Sequence, residues 1–80
     1  MEQLPIKIRM LRSVFGYSQE YIAFQLGISQ AAYSKKENGQ TQASLVHLEA
    51  IALLYNISIT DLIQFSTPEL IQLSLSKNKG

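Results

Sequence analysis

Few side chains in this sequence are equipped for covalent or acid–base chemistry. Cysteine is absent, the single histidine is His47, and Glu49 and Asp61 have no partner spacing that suggests acid/base work. No nucleophile stands beside a base and no Cys/His cluster offers metal ligands, so an enzyme ranks far below a binding protein and no cofactor is expected. What remains is hydrogen bonding and charge. Residues 1–43 carry five basic and three acidic side chains, whereas 44–76 carry three acids and no base, so an anionic partner should meet the first half. Gln19, Gln30, Lys35 and Lys36 lie in that half. Out of context, such residues are an ordinary solvated helix face.

Side chains of this kind act only from a rigid frame. With 80 residues, the chain has room for one small domain, and apolar packing must hold it because no disulfide can. Hydrophobic residues make up 46% and charged residues 16%, against a usual ~25% charged, which excludes disorder as the state of the whole chain. The formal net charge of +1 says little by itself. No apolar run reaches the ~18 residues of a membrane span and no signal segment opens the chain; the reading is cytosolic and soluble.

Gly16, Gly27 and Gly39 cut the first half into short pieces of helical period. Ile8, Leu11 and Phe15 share one face of a first helix begun near Pro5, which places Lys7, Arg9 and Arg12 largely around its other sides. Ser18 caps a second helix that ends at Gly27, and Ser29 caps a third from Gln30 to about Glu37, before Asn38-Gly39. Ser44 caps a fourth with Leu45, Leu48, Ile51, Ala52 and Tyr55 on a wide apolar stripe, closed by Asn56. Thr60 opens a short fifth. In the tail, Thr67-Pro68-Glu69 is a helix start, while Ile71, Leu73 and Leu75 alternate as in a strand; helix is favoured.

Only Gly27-Ile28-Ser29 separates the second and third helices. So short a connection, with a Gly to reverse the chain and an Ile to pin it, holds two helices at a steep angle as a helix-turn-helix, and Ala23 supplies the small side chain where they approach. The run from Ser18 through Gln30, continuing over Tyr33-Ser34-Lys35-Lys36-Glu37-Asn38-Gly39, resembles the Cro/repressor-type, or xenobiotic-response-element, helix-turn-helix family. The likeness extends back to Ile8-Arg9 and Leu11-Arg12 and forward through Leu48, Ile51-Ala52 and Tyr55-Asn56-Ile57-Ser58-Ile59 to Asp61-Leu62, covering about residues 6–64.

The resemblance implies an all-α, lambda-repressor-like bundle of about five short helices, with a DNA-binding domain over 1–65. Residues 66–80 form a C-terminal extension, expected to be helical and to join a dimer interface. It also implies that the third helix enters the major groove of double-stranded DNA. By position, Gln30, Ala31, Ser34 and Lys35 then face base edges: a Gln amide suits adenine N6 and N7, an Ala methyl the thymine methyl, and Lys35 guanine or a phosphate. Phosphate contacts fall to Ser18, Gln19, Lys36, Tyr33, Thr41 and Gln42. Gln19 also props Gln30, and Arg12 pairs with Glu37 in a partly buried bridge. Tyr33 belongs to the core by position, its hydroxyl reaching a phosphate from the edge. The sequence departs from the family at Lys36, a position usually apolar, and over Gln40-Thr41-Gln42-Ala43, often basic in relatives but uncharged here; weaker phosphate affinity follows.

Ile57, Ile59, Ile63, Phe65, Leu70, Ile71, Leu73 and Leu75 are more apolar side chains than a short helix and tail should bury within one subunit, which predicts a homodimer through this segment. The expected function is a sequence-specific transcriptional regulator that occupies an operator on double-stranded DNA as a homodimer. The alternative is an antitoxin or other interaction module that binds a partner protein and regulates its own promoter; an adjacent toxin gene would mark it. No small-molecule effector is expected.

Overall fold

Six helices, α1 (Leu4–Phe15), α2 (Gln19–Leu26), α3 (Gln30–Glu37), α4 (Leu45–Leu54), α5 (Ile59–Gln64) and α6 (Thr67–Lys77), follow one another in the computed structural model, which describes residues 4–78. Serine starts five of them. Ser18, Ser29, Ser44, Ser58 and Ser66 each turn the hydroxyl oxygen onto the backbone N–H three residues on, satisfying a donor that the first helical turn leaves without a partner. The fifth helix corrects the expectation that Thr60 opens it. Ser58 is the cap, because Asp61 accepts from the Ser58 N–H at 3.1 Å while its own N–H donates to Ser58 Oγ at 3.0 Å, a reciprocal box that Thr60 has no partner to build. Ser66 and Glu69 form the same box at the start of α6, and the alternating tail is a helix.

One core joins all six helices. Ile8 and Leu11 of α1, Ile22 of α2, Tyr33 of α3, Ile51 of α4, Leu62 of α5 and Leu70 of α6 are each at most 2% exposed. α6 lies along α1, α2 crosses α3 and α4, and α5 packs on α4 and α1. The turn after α4 is made by Asn56 at φ +57°, a conformation its short amide side chain tolerates better than most.

This arrangement removes part of the expected dimer surface. Leu70 is fully buried because α6 folds back on α1 rather than standing clear of the subunit, and Ile57, in the turn between α4 and α5, is 5% exposed. Ile59, Phe65, Ile71 and Leu73 pack partly against the same core, which leaves Ile63 and Leu75 as the exposed members of the set. The extension at 66–80 is thus built into the fold over Thr67–Lys77; residues 1–3 and 79–80 of the two expected segments lie outside the described residues.

Lys7 is a second correction. It is 2% exposed, not on an outer side of α1, and its ammonium donates to the carbonyls of Leu62 at 3.1 Å and Ile63 at 2.9 Å. Those carbonyls belong to the last turn of α5, where the helix dipole favours a cation and no intrahelical donor remains. Lys7→Met keeps the length of the stem and removes the donors. Its expected cost is roughly 1–3 kcal/mol, the penalty of leaving buried acceptors unpaired. Urea denaturation checks this, and an unchanged midpoint would mean that other donors reach the two carbonyls.

Candidate nucleic-acid interface

The angle between α2 and α3 is set at Gly27. Its φ of +72° is left-handed, which a glycine adopts without steric cost, and it lets the Ile28 N–H return to Ala23 O at 3.0 Å. Ala23 is 2% exposed at this crossing and Ile28 packs partly on the core, so the turn is pinned from both sides.

α3 then divides sharply. Tyr33 and Glu37, one helical turn apart, face inward at 0% and 2% exposure. Of the four expected base-facing residues, Gln30, Ala31 and Lys35 are exposed on the outer side and Ser34 is half-buried. Ser29 Oγ takes the Ala32 N–H at 3.1 Å, and as first-turn groups the Gln30 and Ala31 N–H have no acceptor within the helix. The end of the helix is clean: Gln40 N–H donates to Lys35 O at 2.8 Å and closes the turn.

Beneath this face lies a polar cluster. Arg12 Nε donates to Glu37 Oε2 at 2.8 Å and Nη2 to Oε1 at 2.9 Å, while Nη1 reaches Tyr17 O at 3.0 Å. Gln19 Nε2 donates to Glu37 Oε1 at 3.1 Å, and the Tyr33 hydroxyl also hydrogen-bonds Glu37. Burial alone would raise the pKa of the Glu37 carboxyl; the hydrogen bonds from Arg12, Tyr33 and Gln19, with the Arg12 charge, outweigh it and hold the group below the usual carboxylate range. Burial, followed by the bond to Glu37, pushes the Tyr33 hydroxyl well above the usual tyrosine range, which keeps it a donor.

The expected phosphate contacts are placed unequally. Ser18, Thr41 and Gln42 are exposed and Gln19 is half-buried at the start of α2. Lys36 is half-buried; its stem lines a groove of about 540 Å³ between the start of α1 and the α3–α4 loop, and its ammonium donates to Gln42 O at a long 3.4 Å. Tyr33 has to be removed from the set. It is wholly buried with its hydroxyl on Glu37, so it supports α3 from within and offers nothing to a ligand. The ties of Gln19 and Tyr33 to Glu37 add to the expected bridge with Arg12. For Tyr33 the spacing of four from Glu37 is a usable signal, whereas Gln19 lies eighteen residues away on another helix.

Among the described residues no helix is long and apolar enough to cross a membrane, and no His, Cys, Asp and Glu side chains cluster as metal ligands. A family model described as helix-turn-helix matches residues 8–62. The chain is 33% identical over 74 residues to the HTH-type transcriptional activator BcrR of Enterococcus faecalis, covering 92% of this chain and 35% of that protein. It thus spans about a third of the length of the curated relative it matches. No solved structure matches the chain.

Proposed function

We propose that this chain, which belongs to the helix-turn-helix family of the xenobiotic-response-element type, is a DNA-binding transcription regulator that reads an operator with α3 in the major groove and acts as a homodimer. The observation that carries the reading is the two-sided α3, whose buried side fixes its position and whose outer side presents an amide, a methyl, a hydroxyl and an ammonium in six residues. Those are the groups that distinguish base edges. Half-sites on DNA repeat about every 34 Å, a spacing that two subunits of 30 × 29 × 20 Å are large enough to span. Phe24, Val46 and Leu53, each at least 74% exposed, are the apolar side chains such a contact would draw on. Sedimentation should show a dimer at micromolar concentration or on DNA; a monomer in both conditions would refute it.

Reading and holding separate by titration. Gln30→Ala is expected to cost roughly 1–3 kcal/mol on a selected duplex and much less on random DNA, since phosphate contacts carry no sequence information. Lys36 should behave in the opposite way. Its bond to Gln42 O is long enough to trade for a phosphate, so Lys36→Ala weakens both duplexes alike and lowers the salt slope by about one for each phosphate that a subunit no longer neutralises. Lys35, fully out on the reading face, joins whichever class its own titration matches. If Gln30→Ala weakens both duplexes equally, α3 is not the base-reading element.

A further inference from the structure

The groove between the start of α1 and the α3–α4 loop is lined by two cations, Lys7 and Lys36, and among the described residues by no acid. Its volume of about 540 Å³ lies within the ~300–1,000 Å³ of sites that take small organic molecules. Leu4 and Ile8 of α1, Leu48 of α4 and Ile63 of α5 give it apolar walls. Neither lysine is balanced. The two salt bridges among the described residues, Arg12 with Glu37 and Lys77 with Asp61, use other cations. The buried Lys7 ammonium donates to the carbonyls of Leu62 and Ile63, which accept its N–H groups but do not cancel its charge. Lys36 meets only Gln42 O, at a long 3.4 Å, and an ammonium has three donors to offer a stronger acceptor.

We propose that this groove binds a small amphipathic carboxylate, with its anionic end on the Lys36 ammonium and its hydrocarbon body along Leu4, Ile8, Leu48 and Ile63, and that the ligand opposes DNA binding. The chemistry of the lining selects this class. An apolar body gains by leaving water for such walls, a cation is repelled by both lysines, and an inorganic anion has no hydrocarbon to bury. Ile63 belongs both to the wall and to the carbonyl pair that fixes Lys7, so the second positive charge stays beside the ligand. The opposition follows from Lys36 and rests on the DNA-binding function given above. One ammonium cannot hold a ligand and a phosphate at full strength, so each lowers the affinity of the other by the same factor. No motif in the sequence announces the site, because its lining comes from α1, the end of α3, the following loop, α4 and α5.

Octanoate and 1-octanol, titrated by calorimetry into the full chain, test the site without DNA. Octanoate should bind saturably, one per subunit. Lys36→Met keeps an apolar stem and loses the charge; it should weaken octanoate roughly tenfold, the worth of one charge-assisted hydrogen bond, and leave octanol unchanged. Ala43→Phe fills the groove from the loop and should weaken both ligands, with a melting curve to verify the fold of each variant. Should Ala43→Phe fail to fold, NMR on wild type locates the ligand: the amide signals of Thr41, Gln42 and Ile63, all on the lining, should move with octanoate. With DNA present, saturating octanoate should lower the salt slope of wild type by about one for each subunit and leave that of Lys36→Met as it was. No saturable binding, equal loss of octanoate and octanol in Lys36→Met, or shifts centred on another part of the chain overturns the site. An octanoate affinity that falls as protein concentration rises makes a second copy the occupant and overturns it too. Binding as expected with no effect on DNA overturns the opposition alone, whereas a protein that binds octanoate and no DNA overturns the DNA-binding function and upholds the site.

Discussion

Arg12→Met is expected to destabilise the fold by roughly 3–5 kcal/mol, and Glu37→Gln by less. The asymmetry comes from burial. The Glu37 side chain is 1% exposed and that of Arg12 20%, so a lone carboxylate would stay in the core, whereas a lone guanidinium keeps an edge in water and its bond to Tyr17 O. Tyr33 and Gln19 still donate to Glu37 in Arg12→Met and moderate the loss without neutralising the charge. The pair has a pH signature with a definite sign. The folded carboxyl titrates below its unfolded value of ~4, so between the two the unfolded chain binds more protons and stability rises with pH. The contribution is complete above about pH 5 and disappears as the pH falls through the lowered value. Without Arg12, burial dominates and raises the carboxyl, so that slope should shrink or reverse. Denaturant midpoints measured from pH 3 to 7 decide it; equal slopes in wild type and Arg12→Met would mean that the bridge does not hold Glu37 ionised.

How far these features are legible in the sequence depends on whether their cause is local. Helix starts are local: Ser18, Ser29 and Ser44 fall where the residues alone put them, and the one misplaced start, Thr60 for Ser58, arises because either hydroxyl can cap and only the reciprocal partner Asp61 separates them. The turn at Gly27 is local too. Lys7 shows the limit. It lies between Leu4, Ile8 and Leu11 on the apolar stripe of α1, yet charge suggests an outer face; what overrides this is an acceptor site made 55 residues later by the end of α5. The same holds at the interface. The residues exposed on α3 follow from its period, whereas the orientation of Gln19 depends on a helix crossing that brings Glu37 to it, and no spacing in one helix encodes that.

The non-local cause with the largest consequence is α6, and Leu70→Ala exposes it. Leu70 is fully buried in the core shared with Ile8, Leu11 and Leu62, so truncating it is expected to cost roughly 2–5 kcal/mol, the removed methyl groups plus the cavity they leave. α6 also caps what precedes it: Ser74 Oγ and Asn78 Nδ2 both donate to Tyr55 O at the end of α4, the latter at 3.1 Å. A chain stopped after residue 65 would expose that carbonyl together with the apolar side of α1, and is expected not to fold. Concentration separates this from an interface role. If Leu70 served mainly to join two copies, Leu70→Ala would leave the monomer stable and shift only a melting temperature that rises with protein concentration. Packed inside the subunit, it lowers the melting temperature by the same amount at every concentration. Leu75→Ala is the contrast on the same helix, at 47% exposure, and should change stability by a small fraction of the Leu70 loss. Equal and concentration-dependent effects of the two substitutions would return α6 to the role of a dimer arm.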